Sequence, residues 1–228
     1  MRQARHTRRR RVTQAPSAPS GSVGRLMAGL VVAATIVPWT PAPAATLDAP
    51  ADVAPVVALA DVESMPVPAA VHVPLILKIL TYDRYFNKRG WAAYRIGIVY
   101  AGNDPASSKV GNDIAEVFRS WTVRNLPIES TTVEYMSDSQ VEGVVKSGQF
   151  AMLYIAPGNA RNLQRLLQVC QGEHIITTTA VPAYVEQGVA VGIGVRQDKP
   201  EILINLRSSK SAGSEFDASL LRIARVIR

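Results

Sequence analysis

The sequence predicts an α/β fold: a three-layer sandwich whose mainly parallel central sheet has helices on both faces and an antiparallel C-terminal hairpin. Short runs rich in Val, Ile and Leu alternate with helical patterns from Val73 onward, which is typical of such sheets. The run FAMLYIA, at Phe150 to Ala156, is apolar throughout, as expected of a strand covered on both faces. The last two strand patterns are separated only by a short turn, which indicates a hairpin.

The individual elements follow from periodicity and from turn and capping residues. Strands are predicted at Tyr94 to Ala101, Ile128 to Tyr135, Phe150 to Ala156, His174 to Thr179, Gly188 to Gln197 and Glu201 to Leu206. Helices are predicted at Val73 to Phe86 with Pro74 in the first turn, around Val110 to Trp121, after the capping pair Ser137 and Gln140, at Ala160 to Gln171, at Val181 to Gln187, and from the capping pair Ser214 and Asp217 to Ile227.

Gly192 and Gly194 could suggest the glycine-rich turn of a dinucleotide-binding site. They lie inside a strand pattern, and not at the turn into a helix that such a site requires, so we do not predict dinucleotide binding. Both are instead expected to let a bulky neighbour pack closely. Asp83 and Arg84, near the end of the first helix, are open to pairing with neighbours, to solvent or to a ligand role.

The net charge of +7 comes from the N-terminal end of the chain. Seven of the 25 basic residues lie at or before Arg25, and no acidic residue precedes Asp48, so the remainder carries 18 basic and 18 acidic residues. A nucleic-acid binder would place its positive charge on the folded domain, so the charge pattern argues against nucleic acid as a partner.

The N-terminal segment resembles an export signal. The apolar run Leu26 to Trp39 has the length of a signal-peptide core, and Ala42-Pro43-Ala44 supplies small residues for cleavage. We therefore predict a signal peptide over 1–45, a Pro/Ala-rich linker over 46–70, an α/β domain over 71–228 and a periplasmic location. An uncleaved N-terminal anchor is the alternative.

Cys170 is the only cysteine, so no disulfide forms within one chain. Its spacing with Leu163, Leu166 and Leu167 places it on the apolar face of a helix, where a buried, inert thiol is expected. An intermolecular disulfide or a reactive thiol is the alternative.

Two turns that follow predicted strands are the candidate binding sites. Asn103 follows the first strand, and Gly158 with Asn159 follows the central one. Turns of this kind offer free backbone amides at the carboxyl edge of a parallel sheet, where anions and small ligands are often held. Neither turn has the glycine spacing of a phosphate-binding loop.

The sequence offers no catalytic or metal-binding motif. His72 and His174 lie outside the export signal, and neither has a partner at metal-ligand spacing. A hydrogen-bonded or solvent-facing ring is the simpler reading of each. We predict a protein without enzymatic activity and without a cofactor; an enzyme whose acids meet only on folding is the remaining alternative.

The C-terminal string from Ile175 to Ile227 resembles the YfiR family of exported bacterial proteins. The resemblance rests on Asn205-Leu206, on Lys210 to Gly213, on Leu220 to Ala224, and on Leu75 to Arg84 as the opening helix. It implies a periplasmic, non-enzymatic regulator that binds the periplasmic domain of an inner-membrane sensor or diguanylate cyclase and lowers cyclic-di-GMP signalling. Family members carry redox-responsive cysteine pairs, whereas Cys170 is alone.

A periplasmic regulatory protein is thus the leading hypothesis. A periplasmic small-molecule or anion-binding protein that uses Asn103, Gly158 and Asn159 is the alternative. The sequence leaves a homo-oligomer open.

Overall fold

The computed structural model describes residues 63–228. The strands are β1 Tyr94–Ala101, β2 Thr122–Val123, β3 Leu126–Tyr135, β4 Met152–Ile155, β5 Ile176–Thr179, β6 Val191–Arg196, β7 Lys199–Asn205 and β8 Arg225–Ile227. The α-helices are α1 Ala69–Leu80, α2 Pro105–Arg119, α3 Asp138–Gly148, α4 Leu163–Gly172, α5 Pro182–Glu186, α6 Leu206–Ser211 and α7 Ala218–Ile223, and short 3₁₀ helices occur at Phe86–Arg89 and Ala160–Asn162.

These strands form one eight-stranded sheet in the order β2-β3-β1-β4-β5-β6-β7-β8. Strands β3, β1, β4, β5 and β6 run parallel to one another. The hairpin partner β7 is antiparallel to β6, and β2 is antiparallel to β3. The predicted mainly parallel sheet with a C-terminal hairpin is therefore confirmed.

Each face of the sheet has its own apolar core. Alternate residues of β4 divide between the faces: Met152 and Tyr154 pack in the cluster that includes residues of α1, α2 and α7, and Leu153 and Ile155 pack in the cluster that includes residues of α3, α4 and α5. Burying a strand on both faces explains why its sequence is apolar without alternation. Helix layers on both faces confirm the predicted sandwich.

The first helix begins earlier than the sequence predicted. Helix α1 starts at Ala69 after Pro68, so Pro74 lies inside the helix and its predicted place in the first turn is wrong. The preceding segment is held on the domain, since Val67 is buried and its carbonyl oxygen lies 2.9 Å from Nδ1 of His72.

The prediction of the C-terminal helix is also wrong, because the helix starts and ends at other residues than the sequence predicted. Asp217 caps α7 by accepting from the Ser219 amide at 2.9 Å, and Ser214 is not the cap. The helix ends at Ile223, and β8 then pairs in parallel with β7, with Leu203 opposite Arg225. Sheet pairing prevails here because it satisfies backbone groups on the outer side of β7 that a longer helix would leave unpaired.

Asn205 also starts a helix that the sequence analysis did not predict. Its side chain accepts a hydrogen bond from the Ser208 amide at 3.1 Å and caps α6. The predicted role of Gly192 is confirmed, because a Cβ at this position would overlap Cγ2 of Val185 on α5.

Asp83 and Arg84 join the end of α1 to the segment before α7. The buried Asp83 carboxylate accepts from the Glu215 amide at 3.1 Å, and the Arg84 guanidinium donates to the Glu215 carboxylate at 2.9 Å. Of the alternatives open at the sequence level, pairing with neighbours is the one observed.

His72 is a fully buried, hydrogen-bonded ring. Its Nδ1 lies 2.9 Å from the Val67 carbonyl oxygen and its Nε2 lies 3.0 Å from the Tyr154 hydroxyl. Because a carbonyl can only accept, Nδ1 carries the proton, and Nε2 accepts from the tyrosine. Burial lowers the pKa of His72, against opposing contributions from the Val67 and Pro68 backbone groups.

This lowered pKa predicts that acid weakens the fold. The unfolded ring takes up a proton near its ordinary pKa of about 6.5, above the folded value, so stability is complete above that pH and declines as the pH falls below it. We expect the free energy of unfolding, measured with urea between pH 5.5 and 7.5, to fall by up to about 1.4 kcal/mol per pH unit in the acid half. The His72→Gln variant should lose this slope.

The exposed His174 provides the control. His174 has a positive φ of 55°, which asparagine tolerates, so His174→Asn should fold and keep the wild-type slope. Equal slopes in wild type and His72→Gln would contradict the assignment.

Candidate functional site

The candidate site is the carboxyl edge of the parallel strands, where Gly158 and Asn159 follow β4. Gly158 has a φ of +91°, and a Cβ there would lie 2.9 Å from Oδ2 of Asp104 and 3.0 Å from Cβ of Ser107. Both the backbone conformation and the lack of space therefore require glycine. The turn is held close to the end of β1 by Ser107, whose hydroxyl accepts from the Ala101 amide at 2.9 Å and donates to the Pro157 carbonyl at 2.5 Å.

Three consecutive backbone amides of this turn point at oxygen atoms. The Gly158 amide donates to Oε2 of Glu63 at 2.7 Å, and the Ala160 amide donates to Oε1 of Glu63 at 3.1 Å. Between them, the Asn159 amide donates to the Tyr184 hydroxyl at 2.9 Å. The turn therefore does bind a carboxylate, and the carboxylate belongs to the same chain.

Tyr184 completes the surroundings of this carboxylate. Burial raises the pKa of the Tyr184 hydroxyl, and the negative charge of Glu63 raises it further. The phenol therefore stays neutral and available for hydrogen bonding, and it does not act as a base.

The Asn159 side chain has a structural role beneath the turn. It is fully buried, and its amide nitrogen donates to the carbonyls of Ala156 at 3.0 Å and Val99 at 3.3 Å. Its Oδ1 has no hydrogen-bond partner in the described part of the chain. The side chain ties the end of β4 to β1.

Asn103 lies in a neighbouring cleft. The cleft has a volume of about 390 Å³ and is lined by Gly102, Asn103, Glu134, Tyr135, Met136 and Asn162. The Tyr135 hydroxyl donates to the Asp138 carboxylate, and burial followed by this hydrogen bond raises the pKa of Tyr135 to about 12. Met136 is 73% exposed at this cleft, so the cleft presents one large apolar side chain to solvent.

The structure thus brings Gly158 and Asn159 together in one turn and places Asn103 beside it. Sequence reasoning missed Glu63 and Tyr184, which complete the turn. Glu63 is 95 residues from Gly158, and no local pattern marks such a pair. Binding of an external ligand at Asn103, Gly158 or Asn159 stays a prediction.

The edge has few of the groups that chemistry on a substrate needs. His72 is buried and bonded on both nitrogens, so it cannot reach a bound molecule. Within 63–228, no group of three or more His, Cys, Asp or Glu residues is placed to hold a metal ion. Nor does any helix in that range have the length and apolarity to cross a membrane.

The family model described as YfiR/HmsC-like matches residues 69–225, which is more than half of the chain. The chain therefore belongs to the YfiR/HmsC-like family, as its C-terminal sequence predicted. A search of curated proteins found no match.

Three solved structures were compared with this chain. A conserved domain protein from Vibrio cholerae O1 biovar El Tor superposes with a TM-score of 0.53 at 14% identity, over 71% of this chain and 60% of that one. An ABC domain in complex with L-Trp from Streptococcus pneumoniae gives 0.49 at 15% identity, over 66% of this chain and 59% of that chain. A ligand-free, open substrate-binding protein with adhesive properties from Clostridium difficile gives 0.46 at 17% identity, over 60% and 55%.

The first likeness shows the fold alone, and the chain spans 60% of the length of that Vibrio protein. The other two TM-scores are too low to support an argument.

The contact between Glu63 and the turn should stabilise the domain. Glu63→Gln removes the charge from two hydrogen bonds, and we expect the free energy of unfolding in urea at pH 7 to fall by about 1–2 kcal/mol. The exposed Glu116 gives a matched control, because Glu116→Gln makes the same chemical change on the outer surface of α2 and should alter stability by less than about 0.5 kcal/mol. Equal effects of the two substitutions would show that the carboxylate contributes nothing at the turn.

Proposed function

We propose that this protein is a periplasmic, non-enzymatic regulator that binds the periplasmic part of a membrane signalling protein, such as a diguanylate cyclase, and restrains it. The observation that carries the proposal is the match of the YfiR/HmsC-like model across residues 69–225. The regulatory activity that the sequence resemblance implies requires a surface for a partner and needs no reacting group.

The carboxyl edge supports a binding role. Its turn amides are already bonded to Glu63 and Tyr184, so they are not free for the phosphate of a nucleotide substrate. The adjoining cleft combines the exposed Met136 with the polar side chains of Asn103 and Glu134. Protein contacts combine an apolar centre with a polar rim, and we propose this cleft, with Met136 at its centre, as part of the partner-binding surface.

The remaining parts of the proposal concern the N-terminal end. We propose that residues 1–45 are a cleaved signal peptide and that 46–70 form a linker, with the folded domain following; residues 1–62 lie outside the described part of the chain. Within the proposed linker, Glu63 and Val67 contact the domain, so its last residues contribute to the fold.

Anion binding at the turn is the second candidate function. The Glu63 carboxylate favours it, since the amides of Gly158 and Ala160 donate hydrogen bonds to its two oxygens. An external anion would have to displace Glu63, so Glu63→Gln should raise its affinity. Titration of acetate against this variant and wild type tests the candidate, and equal affinities would contradict it.

The leading proposal predicts capture of a specific class of protein. The full chain with a C-terminal affinity tag, expressed in its own host and solubilised with the membranes, should retain a membrane protein with a diguanylate cyclase or other signalling domain. Deleting the gene should raise cyclic-di-GMP if that partner is a cyclase. The Met136→Glu variant places a charge in the proposed contact and should reduce capture at least about tenfold.

Val195 gives the matched control. It is 42% exposed on β6, well along the sheet from the cleft, and Val195→Glu introduces the same charge. Capture should be unchanged in this variant. Failure to enrich any membrane signalling protein over an untagged strain would overturn the proposed function, and equal capture by both variants would overturn the proposed surface.

A further inference from the structure

A second cavity lies at the opposite edge of the sheet, near the amino ends of β5 and β6. It has a volume of about 340 Å³, within the range of small-molecule sites. It is an open cleft bordered by α4, the start of β5, the turn before β6 and helix α6. Its lining combines apolar side chains with amide, hydroxyl and guanidinium groups.

Gly188 forms part of the wall of this cavity. Its φ of +124° lies in a region that other residues rarely adopt, and a Cβ would stand 3.0 Å from Cδ1 of Leu167. The backbone can therefore pass close to α4 only because the residue is glycine.

The wall of the cavity is apolar on one part and polar on the rest. Leu167, Cys170 and Ile175 supply the apolar part, and glutamine amides and serine hydroxyls supply hydrogen-bonding groups. Burial raises the pKa of the Cys170 thiol to about 12, so the thiol stays neutral and acts as an apolar group. Leu167 is half-buried and supplies most of the accessible apolar surface, because Cys170 and Ile175 are buried behind it. This surface suits a short hydrocarbon body.

Arg207 is the only charged side chain in the lining, which contains no Asp or Glu. Its guanidinium makes no ion pair within residues 63–228, although most other arginines there do. The first amides of α6 do not add to this charge as free donors, because the Ser208 amide is already bonded to Asn205. The cavity therefore has a net positive charge that comes from one side chain.

Several of the polar lining groups are satisfied within the chain. The Gln164 side chain donates to the Gln187 carbonyl at 3.3 Å, and the Thr177 hydroxyl oxygen accepts from the Ala190 amide at 3.0 Å. These contacts fix the wall and leave Arg207 as the principal unpaired group. A guanidinium binds carboxylates well because its planar fork of donors matches the two oxygens.

We propose that this cavity binds a small organic carboxylate with a short apolar body, with the carboxylate on Arg207 and the body against Leu167. The site is distinct from the carboxyl-edge turn, and the inference goes beyond the proposed function because it requires no protein partner.

The test measures binding of a series of linear carboxylates, from acetate through butyrate to hexanoate, to the full-length chain at constant ionic strength and pH 7. Thermal unfolding and titration calorimetry should show affinity rising with chain length as the apolar part of the wall is covered. Hexan-1-ol and hexylammonium have the same body without the anion and should bind more weakly than hexanoate.

Two variants on α6 localise the charge requirement. Arg207→Gln should fold like wild type, since the side chain is exposed, and should lose hexanoate affinity about tenfold or more. Lys210→Gln removes the same charge from the same helix at a residue outside the cavity lining, so its affinity should be unchanged.

A third variant tests whether the ligand's hydrocarbon chain occupies the space beside Leu167. Leu167→Phe reduces the space on the apolar part of the wall and should shift the preference from hexanoate toward butyrate. The proposal is overturned if no carboxylate binds, if hexylammonium binds as tightly as hexanoate, or if Arg207→Gln and Lys210→Gln bind equally. None of these results bears on the capture of a membrane signalling protein.

Discussion

The hydrogen bond between the Tyr154 hydroxyl and the His72 ring is the contact on which the N-terminal half of the structure depends. Tyr154 lies on the strand at the centre of the sheet, and His72 lies on the helix that covers it. Both are fully buried, and an unpaired polar group there would cost about 1–3 kcal/mol, so each residue fixes the position of the other. The other ring nitrogen then fixes the Val67 carbonyl and directs the preceding chain along the carboxyl edge.

That direction brings Glu63 to the turn after β4. In many parallel sheets this edge offers free amides to a ligand, whereas here the chain supplies the anion itself. The domain therefore combines a familiar architecture with an occupied edge, and surface available for recognition lies beside the turn, around Asn103 and Met136. A protein that regulates by contact requires this kind of surface more than it requires a reactive pocket.

Much of the fold could be predicted from local patterns. Tyr94 to Ala101 has the same bounds in the sequence prediction and in the structure, because a β-rich run ended by turn formers leaves little ambiguity. The doubly buried β4 was recognised by its unbroken apolar run. The order of strands in the sheet was not predicted, since it depends on packing between distant segments.

The errors have physical causes. Ile227 fits a helical repeat with Leu220, but the outer side of β7 offered backbone partners, and sheet pairing prevailed over helical periodicity. Within the candidate site, Gly158 was identified from turn chemistry, whereas Glu63 was invisible because a lone carboxylate in a Pro-rich stretch has no characteristic spacing. Arg207 was missed for a different reason: its isolation from acids appears only in three dimensions.

The link between the end of α1 and the segment at 215–217 has a consequence for folding. The Arg84 amide donates to the Glu215 carbonyl, and the Asp217 amide donates to the Tyr82 carbonyl, each at 3.0 Å. Helix α1 is made early during synthesis, yet these partners emerge more than 130 residues later. Helix α1 can pack on α2 and β4 as soon as these are made, but the connection at its C-terminal end must wait for nearly the whole domain. This late, long-range contact favours completion of the fold only after the C-terminal segment has been synthesised.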